Sequence, residues 1–358
     1  MIRRRDTIVG VRMRNLKNDI GDSRWRSSMK RLPSQSPTTL AMRLSIIPII
    51  DVFARRSFTS AGLRPETIAV NSETTIHCWL PNTLSLPSPK NPDPRVSKPF
   101  LLLLHGFGPV STWQWRFQVR VLSRHFDLIV PDLVFFGEST TTSPERSEEF
   151  QAASMMALLK ALGISGERIA GVLGTSYGGF VAYHLARMLG DGWMGKVVIA
   201  SSDVGKNEED DRAMVERVGG IENVSEIMLP RTTVALRKLL KLSIRRPPRF
   251  LPEFILRDVL QNLYRDNLER KMELIMGVTL GNKDLFQLTP LQQDVLIVWG
   301  DQDNIFPVNK AFELKKKLGE KAKLEILKNT GHVPQIEDPD LFNEVLLGFL
   351  LGAPNSSV

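Results

Sequence analysis

The sequence has one cysteine, Cys78, in 358 residues, so no intrachain disulfide can form and the chain suits a reducing compartment. Histidine is nearly as scarce, with five in all. Neither a C-x-x-C nor an H-E-x-x-H spacing occurs, which removes the common zinc patterns, and no metal or cofactor is expected. Long apolar runs are missing too. The longest, such as 44–50 and 99–104, fall well short of the roughly 20 residues a membrane-crossing helix needs. The remaining composition, 42% hydrophobic and 24% charged, is that of an ordinary globular chain.

The formal charge of +8 belongs to one end of the chain. Residues 1–58 hold 13 Lys and Arg against 4 Asp and Glu, and the other 300 residues hold 34 against 35. With no arginine-rich face and no aromatic-interleaved basic motif in the body, nucleic acid is not an expected partner. Residues 1–41 lack sustained periodicity and are rich in Arg, Ser, Thr and Pro. That composition fits an organelle-targeting segment or a dispensable disordered extension. Asp6, Asp19 and Asp22 count against targeting. Without targeting, the expected location is the cytoplasm, with peripheral membrane contact as a further option. Residues 42–63 hold a short amphipathic helix, with Arg55 and Arg56 on its polar side and Met42 as an alternative start. Its apolar side is expected to pack against the body rather than rest on a membrane.

From residue 64 the pattern becomes regular. Residues 66–70 and 74–79 read as a hairpin of β-branched strands, followed by a Pro/Ser/Asn-rich loop to Pro99. Strand and helix signals then alternate: strand 99–104, helix 113–124, strand 127–131, helix 147–163, strand 168–173, helix 177–189, strand 195–201. After an interruption come strand 294–299, helix 308–318, strand 322–328 and helix 338–350. Near-continuous apolar strands between helices predict a mostly parallel sheet covered on both faces, an α/β fold built from 64–203 and 294–352. The interruption, 204–293, has only helical periodicity and reads as a cap over the sheet's active edge. Its charge is segregated, acidic over 203–228 and basic over 231–271.

Gly174-Thr175-Ser176-Tyr177-Gly178 lies between a strand and a helix signal. A tight strand-to-helix turn has no room for Cβ atoms beside the serine, and it lifts the hydroxyl clear of the sheet. The helix start also points free N–H groups and the positive dipole end at that hydroxyl. A serine needs a base, and the base needs an orienting group. Of the histidines, His77, His125 and His184 sit in or beside regular elements, and His105 opens a tetrapeptide whose backbone matters more than its imidazole. His332, in a loop after strand 322–328 with Gly331 before it, is the expected base. The expected acid is Asp303, after strand 294–299. Asp301 is better placed to hold that loop's own backbone, and Asp203 is a third candidate. His105-Gly106-Phe107-Gly108, after strand 99–104, supplies a close-approach backbone. Oxyanion donors are assigned to the N–H groups of Phe107 and Tyr177.

On these residues the chain resembles proteins of the α/β-hydrolase fold across 64–352. It is similar in particular to plant proteins related to monoacylglycerol lipases and to meta-cleavage-product (C–C bond) hydrolases. Residues 130–139 (VPDLVFFGES) and 174–184 (GTSYGGFVAYH) carry that closer likeness. The resemblance implies a cofactor-free serine hydrolase with a helical lid inserted late in the core. Two departures bear on substrate. Phe135 stands where the family commonly has a glycine, implying a bulkier apolar wall, and Ser176 stands where epoxide-opening relatives carry an aspartate. An acyl-enzyme on serine serves esters, thioesters and amides rather than epoxides.

The expected function is therefore hydrolysis of a carboxylic ester, with a small-molecule acyl ester, lipids included, as substrate. His105, Gly106, Trp113, Phe135 and Phe136 are the pocket candidates. The alternatives are C–C bond hydrolysis of a dioxo-acid, which uses the same three side chains, and a hydrolase-fold receptor that retains its ligand. Oligomeric state has no signature in the sequence.

Overall fold

In the computed structural model, residues 45–85, 98–278 and 287–352 are described. The tail 1–41 and most of the loop 81–99 therefore lie outside the described residues, as does part of the region read as a cap.

The apolar strand runs fold as their patterns require. β1 (Leu63–Ala69) and β2 (Thr74–Pro81) form an antiparallel hairpin, paired from Leu63↔Pro81 to Ala69↔Thr75. β3 (Phe100–Leu104), β4 (Asp127–Pro131), β6 (Ile169–Thr175), β7 (Lys196–Ala200), β8 (Val295–Gly300) and β9 (Ala322–Leu327) are mutually parallel, and β5 (Thr140–Thr141) is a short addition to β2. The order across the sheet is β1-β2-β4-β3-β6-β7-β8-β9.

Both faces of the central strands β3, β4, β6, β7 and β8 are buried, which explains why these strands do not alternate apolar with polar, whereas the edge strands β1 and β9 do. Phe100, Leu102 and Leu104 point into one hydrophobic cluster, with Val197, Ile199, Ile297 and Trp299. Leu101 and Leu103 point into the other, with Val198, Ala200, Leu296 and Val298. The first cluster is closed by α4 (Glu148–Ala161), α5 (Tyr177–Leu189) and α11 (Asn309–Leu318). The second is closed by α1 (Ile47–Ser60), α2 (Ser111–Trp115), α3 (Val119–Leu122) and, after the short α12 (Pro334–Glu337), by α13 (Pro339–Leu351). Helix starts carry the expected caps. Ser147 Oγ accepts the Phe150 N–H at α4, and Asp338 accepts the Leu341 N–H at α13.

The helix expected over 113–124 is two pieces, α2 and α3. Gln114 turns its amide to the loop before α2, and Gln118 donates to the Gln335 carbonyl at 2.9 Å, so tertiary partners break the helix. The N-terminal helix starts at Ile47, and Leu63 already belongs to β1. Ile47, Ala54 and Phe58 are buried, with the Phe58 ring 5.1 Å from that of Trp79, so one stripe of α1 packs on the body as expected.

Between β7 and β8 the described residues form only helices: α6 (Glu208–Val218), α7 (Ser225–Met228), α8 (Thr233–Ser243), α9 (Glu253–Val259), a π-turn over 260–264, and α10 (Leu268–Met276). They share a small cluster of Met214, Ile227 and Leu239 with Ile305 from beyond β8.

The chain leaves β3 toward β4 on one side and, after β4, returns to place β6 on the other side of β3. Such a reversal opens a crevice outside the carboxyl ends of the two neighbouring strands, where ligands of open α/β sheets bind. The loops at residues 105–108 and 174–178 meet there.

Candidate active site

One residue separates β6 from α5, and that residue must reverse the chain. Ser176 does so at φ 50° and ψ −121°, a region disfavoured for any residue with a Cβ. Such strain costs about 1–3 kcal/mol and persists only where the surroundings impose it. Here the Ser176 N–H donates to the Ala200 carbonyl at the end of β7, and the Ser176 carbonyl accepts from Gly179, both at 2.9 Å. The glycines of the motif are required by contact. A Cβ at 178 would lie 2.2 Å from the Leu104 carbonyl oxygen, and one at 174 would lie 2.1 Å from that of Gly178.

The loop after β3 approaches the serine as closely: a Cβ at Gly106 would lie 2.9 Å from the Ser176 Cβ. Two side chains, Gln114 and His105, hold that loop. Gln114 accepts the Gly106 N–H at 2.8 Å through its carbonyl oxygen and donates its NH2 to the carbonyls of Gly106 and Pro109. His105, fully buried, accepts the Leu133 N–H through Nε2 at 2.9 Å, so its Nδ1 carries the proton and donates to the Gly106 carbonyl at 2.8 Å. Burial lowers the His105 pKa and keeps it a neutral brace. The N–H groups of Phe107 and Tyr177 find no acceptor among the described residues. The two rings meet edge to face, 5.7 Å between centroids.

Ser176, His332 and Asp303 come together in sequence-distant loops at the ends of β6, β9 and β8. His332 Nε2 lies 2.9 Å from Ser176 Oγ, and His332 Nδ1 lies 2.8 Å from Asp303 Oδ2. A carboxylate can only accept, so Nδ1 carries the proton and Nε2 presents its lone pair to the hydroxyl. All three residues are buried. The Phe306 ring packs edge-on against the imidazole at 5.5 Å. The other Asp303 oxygen accepts the N–H groups of Ile305 and Phe306 at 2.8 and 2.9 Å. Holding that loop's backbone was the role expected of Asp301; Asp303 performs it, while Asp301 is tied through its own N–H to the Leu327 carbonyl.

Glu337 had no signal in the sequence. Its carboxylate accepts the Gly331 N–H at 2.7 Å and the Arg245 N–H at 2.9 Å, joining the His332 loop to the end of the α8 segment. The His332 N–H itself donates to the Ser243 carbonyl at 2.8 Å. Burial raises the Glu337 pKa, and Asp303 adds to the rise. The third acid candidate, Asp203, faces Lys310 at 3.7 Å instead, and burial pushes its carboxyl up to about 6.

The remaining pocket candidates divide. Phe136 meets Phe107 edge to face at 5.2 Å and His105 at 4.9 Å, so it belongs to the wall beside the loop at 106–108. Phe135 takes φ 73°, the conformation a glycine holds easily, and its ring lies under the Arg146 guanidinium at 4.6 Å. Trp113 turns toward α1, where its indole N–H donates to Asp51 at 2.9 Å, and among the described residues nothing joins it to the serine. A second buried carboxylate–imidazole pair, Asp132 with His77 at 2.9 Å, braces the turn after β4 together with the N–H of Ser111. Burial alone would raise the Asp132 pKa, but these hydrogen bonds and the nearby His105 hold it below the ordinary carboxylate range. Among the described residues no group of His, Cys, Asp and Glu is arranged to hold a metal ion.

A family model for the alpha/beta hydrolase fold matches residues 99–339. The chain is 25% identical over 256 residues to the dihydrolipoyllysine-residue acetyltransferase component of the acetoin cleaving system of Pseudomonas putida, covering 70% of this chain but 63% of that protein. It is 24% identical over 267 residues to monoacylglycerol lipase ABHD6 of Homo sapiens, covering 72% and 77% of the two chains. Among solved structures, 2-hydroxy-6-oxo-6-phenylhexa-2,4-dienoate hydrolase from Rhodococcus superposes with a TM-score of 0.63 at 21% identity, covering 81% of this chain and 99% of that one.

Proposed function

From the premise that the chain belongs to the alpha/beta hydrolase fold family, we propose that it is a serine hydrolase of carboxylic esters. In this reading Ser176 attacks the ester carbonyl while His332 takes its proton. The tetrahedral oxyanion collapses to an acyl-enzyme as His332 protonates the departing alcohol. Water, activated by the same imidazole, then releases the acid. Asp303 holds the imidazole in the tautomer that accepts at Nε2, and the N–H groups of Phe107 and Tyr177 receive the oxyanion. The observation that carries the proposal is the unbroken contact from Ser176 Oγ through His332 to Asp303, at 2.9 and 2.8 Å. Hydrolysis of an acylglycerol-type ester is supported by the similarity to a monoacylglycerol lipase. In this reading the described helices between β7 and β8 form the cap, and the bond from the His332 N–H to the Ser243 carbonyl ties them to the loop that carries the base.

The substrate test is a panel of p-nitrophenyl butyrate, a monoacylglycerol and one vinylogous dioxo-acid. Turnover of the esters is expected, with Ser176→Ala abolishing it. Turnover of the dioxo-acid alone would replace this reading with C–C bond hydrolysis, and tight retention of a ligand without turnover would replace it with a receptor.

We further propose that the enzyme meets its substrate at an anionic lipid surface without crossing it; no helix among the described residues is long and apolar enough to span a membrane. Ile49, Val52 and Phe53 on α1 and Phe254 on α9 are all more than half exposed. The two helices are joined, because Asp258, one turn after Phe254 on α9, accepts the N–H groups of Ile46 and Ile47 at 2.8 and 2.9 Å. The exposed Arg55, Arg56, Arg249 and Arg257 lie beside these positions in the chain. Arg55 faces Asp51 at 2.7 Å and Arg257 faces Glu253 at 3.7 Å, and a basic charge that no carboxylate offsets contributes about 1 kcal/mol near an anionic surface.

A further inference from the structure

Lys271, on α10, is buried, at 4% exposure, yet among the described residues its ammonium group makes no ion pair and no hydrogen bond. Its one close partner is the face of Phe136, 4.8 Å from Nζ to the ring centroid. Burial lowers its pKa, while the field of Asp266 and Asp132 works the other way, and neither carboxylate touches it. A largely buried cation without a carboxylate beside it is costly, and an anion brought in by a ligand would offset that cost.

Its position points to where that charge comes from. Contacts at three residues lay the segment 264–271 over Gly108 and over the turn at Phe135 and Phe136, which packs against the loop at 105–108. The Tyr264 hydroxyl would lie 3.7 Å from a Cβ at Gly108, and burial pushes that phenol up to about 12, so it stays a neutral donor. Asn267, at the start of α10, donates to the Phe135 carbonyl at 3.1 Å. Lys271, one turn further on the same face, covers Phe136, which is itself in edge contact with Phe107 at 5.2 Å. The ammonium is thus one aromatic ring away from the loop that faces Ser176.

We propose that Lys271 is the anchor for an anionic oxygen group of the substrate, a carboxylate or a phosphate, set apart from the ester carbonyl by a few bonds. The inference rests on the ester-hydrolase reading and names its substrate class: esters that carry a negative charge. The anchor is a point charge on a flexible stem, so it accepts either anion without the two-pronged geometry of an arginine. Phe136 stabilises the cation while the site is empty and presents an apolar edge to the chain between anion and ester.

The test compares two matched pairs in the full-length protein. The mono-p-nitrophenyl ester of adipic acid against p-nitrophenyl hexanoate places the charge on the acyl side. A lysophosphatidate against the monoacylglycerol of the same chain places a phosphate on the alcohol side. In at least one pair the charged member should have a kcat/KM about tenfold higher or more, read mainly in KM. Lys271→Met should erase that preference while leaving the neutral member within about twofold, and Lys271→Arg should keep most of it. Lys271→Met should also melt at the same temperature or higher, since it removes a buried charge. A lower melting temperature with the preference intact would show a merely structural lysine and overturn the inference, as would the absence of any preference in the native protein. Failure to turn over any of the four esters would overturn the ester-hydrolase reading as well; turnover without preference overturns the inference alone.

Discussion

Asp303 binds two things with one carboxylate: Oδ2 receives the Nδ1 proton of His332 at 2.8 Å, and Oδ1 receives the N–H groups of Ile305 and Phe306. Orientation of the His332 imidazole and the shape of its supporting loop therefore depend on the same side chain. Asp303→Asn keeps an oxygen for the loop but offers an NH2 or a wrong-tautomer contact to the imidazole. Its kcat should fall by about 10³–10⁴-fold, with the melting temperature changed by only a few degrees. Steady-state kinetics on p-nitrophenyl butyrate beside a thermal melt checks both. A kcat within tenfold of the native value would remove Asp303 from the proposed mechanism.

How far the sequence foretold this depends on the range over which each feature is determined. The strands were legible because burial on both faces leaves runs such as Phe100–Leu104 entirely apolar. The turn at Ser176 was legible because sterics demand glycine at 174 and 178, and glycine shows in the sequence. Gln114, Glu337 and Lys271 were not. Each is a polar residue in a helix whose meaning comes from a loop elsewhere in the chain: residues 106–109, residue 331, and Phe136. The division of the 113–124 helix has the same origin, since the partners of Gln114 and Gln118 overrode local propensity. The role given to Asp301 failed because two aspartates two residues apart present the same local pattern, and only the turn geometry decides which faces inward.

Asp203 gives a signature in stability rather than activity. It sits among Lys310, Asp210, Lys317 and Glu313, and burial pushes its carboxyl from 3.8 to about 6. Between those values the folded state holds a proton that the unfolded state has lost, so this group's contribution declines as pH rises from about 4 to about 6. Asp203→Asn should remove that decline, on the order of 2 kcal/mol across the window. Urea unfolding at half-unit pH steps measures it. Parallel curves for the native protein and Asp203→Asn would contradict the assignment.

The proposed lipid-facing surface makes a separable prediction. Co-sedimentation with phosphatidylcholine vesicles containing phosphatidylserine should be stronger than with phosphatidylcholine alone and should weaken at high salt. Phe53→Ser combined with Phe254→Ser should cut binding several-fold without lowering turnover of a water-soluble ester. Unchanged binding in the double variant would contradict the surface, and concentration-dependent self-association lost in the same variant would reassign it to a second copy of the chain.

The proposed acyl-enzyme at Ser176 is tested most directly by intact-mass and peptide mapping after treatment with a fluorophosphonate. The expected result is one covalent adduct per chain, on the peptide containing Ser176, absent in Ser176→Ala and strongly slowed in a His332→Gln variant. A native chain that hydrolyses esters while the adduct forms elsewhere, or a Ser176→Ala chain that retains full turnover, would contradict the mechanism.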